Sequence, residues 1–121
     1  LHRGQLRAAR RDSDGRRIVV IEYVGTKEDL LAALAKELSF PAWFGRNWDA
    51  LEDCLRDLSW ITEKEIVVHH AALPGLSPGA LRTYVDILLR TEARTLAKEP
   101  RRLHISFALE AEGILSSLVG K

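Results

Sequence analysis

Three short apolar runs, Ile18 to Val24, Glu65 to His70 and Leu103 to Phe107, stand far apart in the chain, and sequence of helical period fills both gaps between them. A strand that leads through a helix into the next strand returns to the sheet in the same direction. The pattern therefore predicts an α/β domain whose three-stranded sheet is wholly or mainly parallel and packed with helices.

The first run, rich in β-branched residues and ended by Gly25, reads as a buried strand. Thr26 and Asp29 have the spacing of a capping box, and Leu30, Leu31, Leu34 and Leu38 repeat with helical period before Pro41, which predicts a helix over Lys27 to Ser39. The segment from Phe40 to Asn47 is a connection dense in aromatics, in which Gly45 permits a tight turn and Asn47 caps the next helix. That second helix is expected over Trp48 to Leu58. After the second strand, Pro74-Gly75 and Pro78-Gly79 mark a loop, and Leu81, Val85, Leu88, Leu89 and Leu96 predict a long helix from about Pro78 to Lys98, closed by Pro100. No internal repeat or low-complexity tract interrupts this order.

Charge divides the chain unevenly. Six arginines (3, 7, 10, 11, 16 and 17) against Asp12 and Asp14 leave residues 1–17 at +4, whereas the remaining 12 basic and 15 acidic side chains give −3. The expected organisation is a basic leader over 1–17, a domain over 18–109, and an extension over 110–121 with Ile114 to Val119 as the candidate for a short helix. No apolar segment follows the basic N-terminus as it would in a signal peptide, and no run approaches the roughly 20 residues that span a bilayer. With a single cysteine, Cys54, an internal disulfide is excluded, so a reducing, cytoplasmic setting is expected.

Plotted at about 100° per residue, the second helix gathers Asp49, Glu52, Asp53, Arg56 and Asp57 on an arc of about 140°, and leaves Trp48, Ala50, Leu51, Cys54, Leu55 and Leu58 for the core. Asp49 lies in the first turn, where the positive end of the helix favours a carboxylate. Asp49 with Asp53, and Asp53 with Asp57, are like-charge pairs four residues apart, each costing the free protein a few tenths of a kcal/mol. Four carboxylates against one arginine is not an arrangement that stability alone selects. An ordinary solvated face has the same pattern, and spacing by itself leaves both readings open.

The stretch Phe40-Pro41-Ala42-Trp43-Phe44-Gly45-Arg46-Asn47-Trp48-Asp49-Ala50-Leu51-Glu52-Asp53-Cys54-Leu55 closely resembles the central segment of the barstar family, of the form Leu-Pro-x-aromatic-aromatic-Gly-x-Asn-x-Asp-Ala-Leu-x-Asp-Cys-Leu. Glu28-Asp29-Leu30 and Leu34-x-Lys36-Glu37-Leu38 also look like that family's first helix, and the similarity extends over roughly Ile18 to Leu109. The resemblance implies a barstar-like fold and a non-enzymatic inhibitor that forms a 1:1 complex with a guanyl-specific microbial ribonuclease, barnase-like or a ribonuclease toxin, without a cofactor. Carried over by position, it implies that Asp53 is the main anchor among the enzyme's cationic groups, Asp49 a second acid contact, Trp43 a ring packed over the site, and Gly45 and Asn47 close turn contacts. Glu52 and Arg56 share that face. The family also uses an acid on its last long helix, for which Glu92 is the nearest candidate. The chain departs from the pattern where Trp43 replaces a tyrosine, and where Glu52 and Leu58 replace tryptophans. The physical logic needs no family name: ribonucleases concentrate positive charge where phosphates bind, and a rigid row of carboxylates mimics the RNA backbone.

Two other functions compete. The arginine-rich leader suits a nucleic-acid or regulatory binding module, and Asp49, Asp53 and a strand histidine (His69, His70 or His104) suggest a Mg²⁺-dependent phosphodiesterase. The second lacks a recognisable nucleophile or phosphate loop. Cys54, on the core face, is expected to be a buried structural thiol, and Trp48 and Trp60 core or core-edge residues.

Overall fold

A computed structural model describes residues 10–11, 15–97 and 101–108. In chain order the elements are β1 (Arg10–Arg11), β2 (Arg16–Ile21), α1 (Lys27–Glu37), α2 (Trp48–Asp57), β3 (Glu65–His70), α3 (Pro78–Ala97) and β4 (Arg102–Phe107). The strands lie in the order β1-β2-β3-β4, with β2, β3 and β4 parallel, as the helical crossovers require. The expected α/β fold with a three-stranded parallel sheet is therefore present. The extension over 110–121 lies outside the described residues.

Two differences appear at the N-terminal side. The first strand begins at Arg16 and stops at Ile21, short of the expected Val24, and Tyr23 beyond it is 63% exposed. Arg17, placed in the basic leader, has a largely buried side chain whose Nε lies 3.3 Å from Oε1 of buried Glu63. The leader also contributes β1, which pairs antiparallel with β2 through Arg10↔Ile18 and Arg11↔Arg17. Net charge set these arginines apart as a leader, and it carries no information about strand pairing.

The helix ends follow local chemistry. Thr26 caps α1 by accepting the amide of Asp29 at 3.0 Å. That helix closes at Glu37, before the expected Ser39, because Ser39 turns left-handed at φ 56°. The amides of Ser39 and Phe40 then return to the carbonyls of Lys36 and Ala35 at 3.4 and 2.9 Å, a Schellman closure in which serine takes the usual glycine place. Ser77 starts α3, its Oγ 3.3 Å from the amide of Ala80, and Pro78 occupies the first helical position, where no amide is needed.

The core joins Val19 and Ile21 of β2, Leu30, Leu31 and Leu34 of α1, Leu51 and Leu55 of α2, Ile66 and Val68 of β3, Tyr84, Ile87 and Leu88 of α3, and Leu103 of β4. Every second residue of β3 is buried (Ile66, Val68, His70), so one face of the central strand is fully covered. Among the described residues, no helix is long and apolar enough to cross a membrane.

Candidate functional site

Aromatic packing holds the connection between α1 and α2. Phe40 meets Phe44 edge to face with ring centroids 4.8 Å apart and meets Trp60 at 6.2 Å, while Trp60 Nε1 donates to the carbonyl of Leu38 at 2.9 Å. Trp43 stands edge-on to Trp60 at 6.5 Å and is 61% exposed, a large apolar ring left in solvent beside a braced turn. Trp48 sits at the core edge as expected, stacked on Tyr84 at 6.1 Å with Lys27 Nζ 4.8 Å from its ring centre.

Gly45 was expected to supply the tight turn, yet the left-handed residue is Arg46, at φ 55°. A Cβ at Gly45 would meet Nδ2 of Asn47 at 3.4 Å and Cβ of Ala50 at 3.7 Å, ordinary contact distances, so neither backbone conformation nor space within the fold demands glycine here. Asn47 is the expected N-cap: its Oδ1 accepts the amide of Ala50 at 2.8 Å and its Nδ2 donates to the carbonyl of Gly45 at 3.4 Å. One side chain thus fixes both the start of α2 and the turn in front of it.

From that start, α2 divides as its periodicity requires. Leu51, Cys54 and Leu55 are buried, with Leu58 closing the helix as a buried left-handed cap, whereas Asp49, Asp53, Arg56 and Asp57 are exposed. Among the described residues, Asp49, Asp53 and Asp57 form no hydrogen bond or ion pair. Burial, reinforced by Asp53 and Asp57, pushes the Cys54 thiol up to about 11, which keeps it protonated and inert at neutral pH.

Glu52 is half-buried in a different setting. Arg90 of α3 reaches across to it with Nε and Nη2 at 3.2 and 3.0 Å. The hydrogen bond from Arg90 holds the Glu52 carboxyl below its ordinary range against partial burial, with Arg90, Arg56 and Arg94 adding charge attraction. The sequence placed Glu52 on the outer face but offered no sign of Arg90, because periodicity does not say which side of α3 meets α2.

Glu92, expected to face a partner, has a task within the fold. Its Oε2 accepts the amide of Ile105 at 2.8 Å, and Oγ1 of Thr95 accepts that of Leu103 at 2.9 Å, so α3 occupies two alternate amides of β4. At about 100° per residue, Glu92 points about 160° away from Arg90, and hence away from the side that meets α2.

Two of the strand histidines, His69 and His70, form hydrogen bonds. His69 Nδ1 lies 2.7 Å from Oγ of Ser106, His104 Nε2 lies 3.4 Å from Oε1 of Glu65, and fully buried His70 bonds to Tyr84 and to the carbonyl of Ser106. Among the described residues, no three His, Cys, Asp or Glu side chains gather as a metal site. The structure thus does not bring a histidine to Asp49 and Asp53. Trp43, Gly45 and Asn47 in the turn lead along the chain into exposed Asp49, Asp53 and Asp57 on α2, and with Glu52 and Arg56 they make up the candidate surface.

Residues 17–108 match the family described as Barstar (barnase inhibitor). The match takes in α1, α2, α3, β3, β4 and all but the first residue of β2. No curated protein matches the chain.

Proposed function

The chain belongs to the barstar family, and from that premise we propose that it inhibits a guanyl-specific microbial ribonuclease, barnase-like or a ribonuclease toxin, by laying α2 and the preceding turn into the enzyme's substrate cleft. The observation that carries this reading is the row Asp49, Asp53 and Asp57, exposed on a capped helix and unpaired among the described residues. Carboxylates on a capped helix that owe nothing to internal partners meet an enzyme's phosphate-binding cations without first breaking bonds of their own.

Asp53, at the centre of the row, anchors the complex, and Asp49 adds a second acid contact near the helix start. Trp43 packs its exposed ring at the edge of the cleft, as buried aromatic anchors do in protein interfaces. Gly45 and Asn47 let the turn approach closely, while Glu52 and Arg56 flank the contact. One inhibitor occupies one enzyme, needs no cofactor and performs no chemistry. The lone buried thiol suits a cytoplasmic protein that protects its own cell, either from an endogenous ribonuclease or from one delivered as a toxin.

An RNA-cleavage assay with barnase as the probe tests the reading. Added chain suppresses cleavage in proportion to its concentration up to one equivalent, and the Asp49→Asn/Asp53→Asn double variant does not. Equal suppression by both proteins contradicts it.

A further inference from the structure

A row of the opposite sign runs beside the acidic one. On α3, Arg82, Asp86, Arg90 and Arg94 follow at four-residue intervals and so share one side of the helix. Arg82, Arg90 and Arg94 are exposed, and Asp86 is half-buried. Arg90 crosses to Glu52 on α2, while Arg56, one turn further along α2, and Arg94, one turn further along α3, act on the same carboxylate. Arg90 is the guanidinium bonded to Glu52, with the charges of Arg56 and Arg94 favouring the same carboxylate and that of Asp86 favouring Arg90. Arg90 and Arg94 are a like-charge pair of the kind that destabilises an isolated helix. Among the described residues, neither Arg56 nor Arg94 forms a hydrogen bond or ion pair. The chain thus keeps unmatched positive charge next to the negative charge on which the proposed inhibition depends.

We infer that the arginine row on α3, centred on Arg90 and Arg94, receives an acidic side chain on the rim of the ribonuclease cleft that α2 enters. The inference rests on the reading of α2 as the inhibitory element and adds what the partner must present beside it. A cleft bordered by cations on this side sets like charges against Arg90 and Arg94 and is rejected, whereas a cleft basic at its centre and acidic along one border matches both rows. The two rows also fix which way round α2 lies, since a reversed helix opposes charges of the same sign. Arg94, whose fork has no bond among the described residues, can hold that carboxylate through two parallel bonds, while Arg90, already on Glu52, adds charge beside it.

The test uses barnase and a set of barnase variants in which each exposed position bordering the substrate cleft is changed singly to aspartate. Affinity is measured for the unaltered chain, for Arg90→Ala/Arg94→Ala, for Arg94→Ala alone, and for Asp53→Ala. At least one aspartate is expected to tighten binding roughly twofold to fivefold, with the gain lost in the double arginine variant. Arg94→Ala leaves the Glu52–Arg90 contact in place, and partial loss of the gain there separates a direct role from a disturbed α2–α3 groove. If no aspartate produces an arginine-dependent gain while Asp53→Ala still weakens binding, the inference is overturned and the inhibitory reading of α2 stands. Indifference to Asp53→Ala throughout, or no binding of barnase by any chain, overturns both.

Discussion

The hydroxyl of Tyr84 donates to Nε2 of His70 across 2.7 Å inside the core. Nδ1–H of the same ring donates to the carbonyl of Ser106 at 3.0 Å, and the ring stacks on Phe107 with centroids 4.2 Å apart. This assignment follows from the acceptors: a carbonyl only accepts, so the proton sits on Nδ1 and leaves Nε2 to receive the tyrosine. The neutral imidazole is therefore satisfied at both nitrogens and ties β3 to both β4 and α3.

A pH dependence results from that burial. Desolvation takes the His70 pKa from 6.5 down to about 4. Between these values the unfolded chain binds the proton and the folded chain does not, so the contribution is fully present above 6.5 and is lost as pH falls toward 4. The loss is expected to reach about 3 kcal/mol, measured by urea denaturation at pH 7, 5.5 and 4. Stability that stays flat across this interval contradicts a buried, neutral His70. Tyr84→Phe, which leaves Nε2 without a donor, is expected to cost about 1–3 kcal/mol at pH 7.

Two left-handed residues should respond oppositely to glycine. Ser39 is exposed with φ 56°, and Ser39→Gly relieves the Cβ crowding of that conformation, for an expected gain of about 0.5–1 kcal/mol. Leu58 has φ 47° but is 2% exposed in the core, so Leu58→Gly is expected to lose about 2–4 kcal/mol as the cavity outweighs the backbone relief. Thermal or chemical denaturation of both variants decides the matter, and a shared sign contradicts the explanation.

Removing the cap of α2 is expected to weaken fold and binding together. Asn47→Ala deletes the 2.8 Å bond to the Ala50 amide and the link to Gly45, at a cost of about 1 kcal/mol in stability. Asn47→Asp keeps an acceptor at the cap and should recover most of that loss. Failure of the aspartate to recover stability places the effect elsewhere than in the cap.

Much of this architecture was legible in the chain because the determinants are local. The extent of β3, the Thr26 and Asn47 caps, the division of α2 into core and acidic faces, and the burial of Cys54 all follow from periodicity or short-range bonding. The features that escaped the sequence depend on partners distant along the chain. The Glu52–Arg90 contact needs the orientation of α3 against α2, the attachment of Glu92 to Ile105 needs the position of α3 along β4, and the burial of Arg17 beside Glu63 needs the sheet. Glu92 shows why: only tertiary placement reveals the strand amide it serves.

That placement is testable in its own right. Glu92→Ala removes the acceptor of the half-buried Ile105 amide and is expected to cost about 1–2 kcal/mol of stability while leaving ribonuclease inhibition unchanged. Denaturation and inhibition measured on the same preparation check both parts. Lost inhibition with unchanged stability would instead support Glu92 as a partner contact.

Asp53 should behave in the opposite way, and the most direct test of the central claim is a paired measurement on Asp53→Ala: calorimetric affinity for barnase alongside urea stability of the free chain. Affinity is expected to fall by about 2–5 kcal/mol, because the cationic groups it faces are left without a partner. Stability is expected to hold or rise by a few tenths of a kcal/mol, because two like-charge neighbours are relieved. Unchanged affinity together with a clear loss of stability would make Asp53 a structural residue and contradict the account.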